Sequence, residues 1–325
     1  VASLAFQHLV EPPFGTNFKN MMNKTIFITG TSSGIGKATV ELFAAQGWNV
    51  VATVKSTYVQ SGIFNHLPKV TVYELDVTRV EQVNEVAQKA IQKFGKIDVV
   101  INNAGYCLMG PTETSTMEQI KEQYETNVFG VFAVTKAFIS HFRNQGAGMF
   151  INIASSSAQF NYPYIGAYGS SKWAVRGLTE CLGVELAPFN IEVKAIYPGT
   201  HATQIFTKLD NGSGNEKEAF NAYKPYFQNF LSAQSGVTEV TSPTNIANEI
   251  WKAVQNKKGK LHIVSGGDAK LFYFLKKWLP QRAFQRLQIR SILKPASKGE
   301  ISFAKWLMGK NTGKLEAHLD KNLID

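Results

Sequence analysis

The sequence predicts an α/β fold of Rossmann type, a doubly wound sheet of seven parallel strands carrying a C-terminal helical extension. Three observations lead there. Short Val- and Ile-rich runs alternate with longer stretches of helical periodicity. The first run leads into a glycine-rich turn that opens a helix. The runs are apolar at successive positions, as strands covered by helices on both faces must be.

Taken in order, Ile26, Phe27 and Ile28 centre the first strand (25–29), and a helix follows over 35–46. Val50 and Val51 place the second strand at 49–54, and Val70, Val72 and Leu75 the third at 70–75, followed by a helix over 79–94. The fourth strand (97–101) precedes a long helix over 117–143, and the fifth (149–153) precedes a helix over 166–187. The sixth strand (191–196), a helix over 243–254 and the seventh strand (261–264) complete the set. The alternation lapses between Thr200 and Thr241, a stretch rich in Phe and Tyr that contains Asn211-Gly212-Ser213-Gly214, and again after the last strand. The organisation expected is an N-terminal extension (1–23), a catalytic domain (24–267) with a substrate-covering insertion (200–242), and a basic aromatic extension (268–325). Ligands of open parallel sheets bind beyond the C-terminal strand ends, which suits an insertion after strand six to cover a substrate.

Composition narrows the function classes. With 44% hydrophobic and 18% charged residues, the 325-residue chain can bury a large core and carries no signature of disorder. Two cysteines, Cys107 and Cys181, make no disulfide framework and show no metal-ligand spacing, which points to a reducing, cytoplasmic setting and to no metal. The net charge of +10 is not spread evenly. From Trp251 onward there are 16 Lys and Arg against 5 Asp and Glu, whereas the preceding 250 residues carry 18 against 19. With a nearly neutral body and no recognition motif, nucleic acid is not an expected partner. Pro12, Pro13 and Gly15 interrupt the N-terminal segment, which fits neither a signal peptide nor a span, and no later stretch reaches about 18 uninterrupted apolar residues.

The chemistry is concentrated at strand ends. The turn Thr29-Gly30-Thr31-Ser32-Ser33-Gly34-Ile35-Gly36 has the spacing G-x-x-x-G-x-G, in which glycines let a pyrophosphate approach the N–H groups of the helix that follows. Alone it could be an ordinary βα turn. Further on stand Asn102-Asn103-Ala104-Gly105 after strand four, Ser155-Ser156-Ser157 after strand five, Tyr168-Gly169-Ser170-Ser171-Lys172 on the next helix, and Pro198-Gly199 after strand six. Tyr168 and Lys172, four apart, share a helix face, so an ammonium near the phenol should lower its pKa toward the useful range. By itself such a pair is as well explained by a solvated helix face; its place between strands five and six gives it weight.

With all these motifs in order from about Lys24 to Val264, the sequence resembles the short-chain dehydrogenase/reductase family, in the branch with the TGxxxGxG turn and the YxxxK pair. The resemblance implies an oxidoreductase that interconverts an alcohol and a carbonyl by hydride transfer. In it Tyr168 acts as acid or base, and Ser155, thirteen residues earlier, orients the substrate oxygen. Lys172 tunes the tyrosine and holds the nicotinamide ribose, and Asn127 completes a proton relay. For the cofactor it implies Gly30, Ser32, Ser33, Gly34, Ile35 and Gly36 at the pyrophosphate. Asp76 and Val77 belong at the adenine, Asn103, Ala104 and Gly105 beside the nucleotide, and Pro198, Gly199 and Thr203 at the nicotinamide. No carboxylate ends strand two, where NAD users carry one, and Lys55 stands there instead, so NADP(H) is expected before NAD(H). Ser33 replaces a second basic residue that many NADP users have in the turn.

The extension runs Lys270-Leu-Phe-Tyr-Phe-Leu-Lys-Lys-Trp-Leu-Pro280 and continues with Arg282, Arg286 and Arg290. Such a basic amphipathic stretch fits a lid or packing element, or a peripheral contact with a membrane interface. Similar tails occur in hydroxysteroid- and retinol-dehydrogenase-like members, which implies an apolar substrate such as a steroid, retinoid or lipid-derived compound. A homo-oligomer is in keeping with the resemblance. Two rival readings stay open here: a dinucleotide-binding sensor or scaffold without turnover, and a membrane-surface protein whose tail is its main function.

Overall fold

The computed structural model describes residues 24–59, 61–199, 208–209, 215–237, 242–256 and 259–294. A parallel seven-stranded sheet forms its centre. Its strands are β1 (Thr25–Ile28), β2 (Asn49–Val54), β3 (Val70–Glu74), β4 (Val99–Asn102), β6 (Gly148–Ile153), β7 (Ile191–Pro198) and β9 (His262–Ser265), in the order β3-β2-β1-β4-β6-β7-β9. Two short strands, β5 (Leu108–Met109) and β8 (Lys208–Leu209), pair with each other outside it. The strand order reverses beside β1, and this is where open α/β sheets bind ligands.

Successive side chains of each strand part to opposite faces, and the core divides accordingly. Ile26, Ile28, Val50, Ala52, Ile101 and Ile151 face helices α1 (Gly34–Ala45) and α8 (Pro243–Gln255) through Val40, Phe43, Ile246 and Ile250. Phe27, Val51, Val100 and Phe150 face the opposite layer, formed by α3 (Val80–Phe94), α5 (Gly130–Gln145) and α6 (Gly166–Glu185). There Phe138 meets Phe27 at 4.9 Å between ring centroids, and Phe142 meets Phe150 at the same separation. Truncating Phe138 would open a cavity worth roughly 3–5 kcal/mol.

Helix ends follow local chemistry. Helix α4 (Met117–Tyr124) starts in a capping box, Gln119 N–H donating to Thr116 Oγ1 (3.2 Å) and Thr116 N–H to Gln119 Oε1 (2.7 Å). Helix α5 ends at Gly146, whose left-handed backbone (φ 65°) disfavours a side chain. A short helix α2 (Ser56–Val59) follows β2.

Three differences from the sequence expectation bear on function. The helix foreseen over 117–143 is two helices joined by a π-turn, Glu125–Phe129, that contains Asn127; such widened turns insert one residue and often mark functional sites. The irregular region after β7 contains a long helix, α7 (Asn215–Val237), with Pro225 inside it. Among the described residues, the extension forms α9 (Gly267–Trp278) and α10 (Gln281–Leu293), separated at Pro280, which has no N–H to continue a helix. Helix α10 packs on α7, and Asn229 Nδ2 donates to the Ile292 carbonyl at 3.1 Å.

Candidate active site

The glycine turn follows β1, and the crowding around it explains its residues. Gly30 (φ +66°) and Gly34 (φ +56°) take left-handed backbone. A Cβ on Gly30 would lie 2.7 Å from Ala104 Cα, and one on Gly36 would lie 2.3 Å from the Gly30 carbonyl oxygen. Helix α1 then begins with no side-chain cap from Ser33 and no acidic residue in its first turn, so its N–H groups face outward as anion donors. This cradle fits a dinucleotide pyrophosphate. Asn103, which the sequence places among cofactor ligands, also holds the turn: its amide donates to the carbonyls of Thr29 (2.8 Å) and Gly30 (2.7 Å).

At the ends of β2 and β3, Lys55 Nζ lies 3.8 Å from Asp76 Oδ2, with the lysine largely exposed. Partial burial would raise the Asp76 pKa, but hydrogen bonds from Thr78 and the charges of Lys55 and Arg79 outweigh it and hold the group below the usual carboxylate value. Val77 is buried against Gly130, where a Cβ would come within 2.7 Å of it. Lys55 thus stands exposed where β2 ends, restrained by one carboxylate.

Ser155, Tyr168, Lys172 and Asn127 converge beyond the ends of β4 and β6. Of the three serines only Ser155 is half-exposed; Ser156 and Ser157 are buried, which agrees with the thirteen-residue spacing that selected Ser155. Ser155 sits in extended backbone at the start of a 3-10 turn, and its hydroxyl accepts from Ser157 N–H at 3.2 Å. Lys172, nearly fully buried, donates to the Ile153 carbonyl at 2.9 Å, and its Nζ lies 5.7 Å from the Tyr168 ring centroid. The Asn127 amide donates to the Tyr106 carbonyl (3.0 Å) and Ser171 Oγ (3.2 Å) and accepts from Tyr106 N–H (3.1 Å). Gly105 closes the group, since a Cβ there would lie 2.9 Å from Asn127 Oδ1 and 3.6 Å from Lys172 Nζ.

The electrostatics correct one expectation. Burial pushes the Tyr168 phenol well above its ordinary pKa, a hydrogen bond with the Ser155 side chain works the other way, and Lys172 is not among the groups that lower it. Burial also brings Lys172 down to about 8. Desolvation therefore outweighs the ammonium–phenol attraction that the spacing suggested, because both groups are enclosed and the ammonium is turned toward a backbone carbonyl.

Several neighbours had no signal in the sequence. Cys107 is fully buried against Tyr168, and an aromatic wall of Tyr164, Phe227 and Phe230 rises beside it. Phe160 and Tyr162, shortly after Ser155, meet Phe272 of α9 at 5.3 and 6.1 Å. Asp268, buried in the first turn of α9, fills the space in front of Gly199, where a Cβ would lie 2.0 Å from its carboxylate. Pro198 pairs with Ser265, and Gly199 N–H donates to the Ser265 carbonyl at 2.8 Å, which fixes that loop. Thr203 lies outside the described residues.

The family profile described as short chain dehydrogenase matches residues 24–214, more than half of the chain. The chain belongs to the short-chain dehydrogenase family. It is 33% identical over 270 residues to a 3-ketodihydrosphingosine reductase of Bacteroides thetaiotaomicron, covering 82% of this chain and 96% of that one. A crystal structure of a short-chain dehydrogenase from Streptomyces avermitilis superposes with a TM-score of 0.66 at 28% identity, covering 81% of this chain and 98% of that one. ElxO with NADP bound superposes with a TM-score of 0.62, also at 28% identity, covering 75% and 97%. As a short-chain dehydrogenase this protein is an oxidoreductase on a Rossmann-type sheet, and the sensor without turnover loses its ground.

Proposed function

We propose that this short-chain dehydrogenase uses NADP(H) to interconvert a secondary alcohol and a ketone, or an aldehyde, on an apolar substrate. The observation that carries the reading is the half-exposed Ser155 beside buried Tyr168 and Lys172, enclosed by the wall of Phe227, Phe230 and Tyr164. The cradle of Gly30, Gly34 and Gly36 would hold a nicotinamide cofactor, whose chemistry when bound would be to give or take a hydride. Ser32, Ser33 and Ile35 complete that cradle, and Asp76, Val77, Ala104 and Gly105 border the nucleotide. Lys55 favours the 2′-phosphate of NADP(H) over a bare ribose hydroxyl, and ElxO, a structural relative, binds NADP.

In the reducing direction Ser155 donates a hydrogen bond to the carbonyl oxygen, and Tyr168, whose raised pKa keeps it protonated near neutrality, delivers the proton to that oxygen. Lys172, lowered to about 8, can exchange a proton near neutrality and re-supply the tyrosine. Asn127, bonded to the Tyr106 backbone and to Ser171, would support the relay of that proton to Lys172. Oxidation runs the same steps backward. The apolar wall favours a hydrophobic substrate, and the Bacteroides relative is named for a lipid ketone. The test is consumption of NADPH or NADH with long-chain 3-keto lipids, steroid ketones and retinal, alongside Tyr168→Phe. Turnover that vanishes in the variant supports the reading; turnover that survives it removes Tyr168 from the chemistry.

A further inference from the structure

The two helices after the last strand have unlike faces. Inward, Phe272 and Phe284 pack against Phe160, with centroids 5.3 and 6.3 Å away, and Lys276 is used up between the Gln159 carbonyl (2.6 Å) and the Trp173 ring (4.7 Å). Outward, Tyr273, Phe274 and Trp278 stand 43%, 58% and 68% exposed. They fall with Lys270 and Lys277 at the i, i+3, i+4, i+7, i+8 positions of one helical face. Leu287 and Leu293 of α10 are likewise more than half exposed, beside exposed Arg282 and Arg286. From Ala269 to Lys294 the chain carries seven Lys and Arg and no Asp or Glu.

We propose that the outward face of α9 and α10 docks on an anionic lipid bilayer. Single exposed apolar residues are ordinary, but five large ones on two consecutive helices, interleaved with cations and with no exposed anion, form the pattern of an interfacial element. Tryptophan and tyrosine suit the headgroup level, and the lysines and arginines meet lipid phosphates. A second copy meeting the same face about a two-fold axis would set cation against cation. Nucleic acid would leave Leu287 and Leu293 with no partner. No described helix is long and apolar enough to cross a membrane, so the contact is peripheral. The inner faces of the same helices pack on Phe160 and, through Ile292, on the aromatic wall beside Tyr168, so docking would bring that wall near the bilayer in which an apolar substrate dissolves. The docking itself stands apart from the proposed activity, which supplies only its purpose.

The experiment is flotation of the full chain with vesicles of phosphatidylcholine alone or mixed with phosphatidylserine, which requires no turnover. The expected result is binding at least ten-fold tighter to the anionic vesicles, weakening as salt is raised. K270E/K277E and F274S/W278S should each lose ten-fold or more while NADPH binding is kept. Bromolipid quenching of tryptophan fluorescence should fall in W278F, a variant that preserves packing. Equal or absent binding to both vesicle types overturns the proposal, as does binding that survives both double variants. Unchanged bromolipid quenching in W278F, or conversion of an oligomer to monomers by F274S/W278S, would overturn it too, the latter by showing an interface between copies.

Discussion

The sides of this enzyme proposed here for cofactor and for substrate are built by opposite means. Around the glycine turn, the proposed binding rests on missing side chains: Gly30 and Gly36 leave no room for a methyl, and backbone N–H groups of the uncapped helix are left to meet a ligand. On the other side of Tyr168, function comes from large side chains that meet over long sequence distances, Phe160 with Phe272 and Tyr164 with Phe227. The first is a close-packed turn, pressed by Ala104 and Asn103 from the end of the adjoining β4, and tolerates almost nothing. The second is a packed surface whose shape can change by repacking, at moderate cost. Enzymes with one cofactor and varied substrates need this division.

Substitutions can test how sharp the division is. The largest effect should come at the boundary, where Tyr168→Phe lowers turnover on the order of 10²–10⁴-fold while NADPH titration is unchanged. Next, Gly36→Ala should weaken NADPH binding by about ten- to a hundred-fold, since forcing a methyl into a filled space costs roughly 1–3 kcal/mol; fluorescence titration reads it, and an unchanged affinity would break the comparison. Lys55→Glu should shift the NADPH:NADH preference about ten-fold toward NADH with little effect on the substrate KM, by removing a charge-assisted contact to the 2′-phosphate. On the other side, Phe227→Leu should raise the KM for an apolar ketone about five-fold, in line with the loss of roughly 1 kcal/mol of apolar contact, and leave NADPH affinity alone. If Phe227→Leu changes cofactor affinity as well, the two regions are not independent.

The smallest effect concerns Lys172. Its pKa is lowered to about 8 by burial, from an ordinary 10.5, so between these values the unfolded chain binds the extra proton and the folded chain does not. Stability from this group therefore rises with pH above about 8, and the charged form costs most below it. From 9.0 upward Cys107, and from 10.0 Tyr168, act with the opposite sign, because burial raises both. The thermal midpoint of wild type relative to Lys172→Met should accordingly rise from neutral pH to about 9. A difference that stays flat over this interval would mean that Lys172 is not desolvated in solution.

The seven main strands, the glycine cradle and the Ser155, Tyr168 and Lys172 set were all legible in the chain, because two-fold alternation, glycine-dependent turns and helix spacing are local properties. Even the choice of Ser155 over its neighbours agrees with its greater exposure. The split of the helix at 117–143 by a π-turn was not legible, since an inserted residue leaves the helical pattern almost intact. Nor was the turn-holding role of Asn103, which depends on carbonyls more than seventy residues earlier. Sequence alone thus determined where Ser155, Tyr168, Lys172 and the glycine turn lie along the chain and which strand ends carry them. Tertiary structure decided what surrounds them: that Cys107 and Asp268 are buried there, that α9 packs on Phe160 and Tyr162 and α10 on α7, and that desolvation outweighs the ammonium in setting the Tyr168 proton. The reason is physical: burial and dielectric belong to the sum of everything packed around a group, and most of that comes from distant parts of the chain.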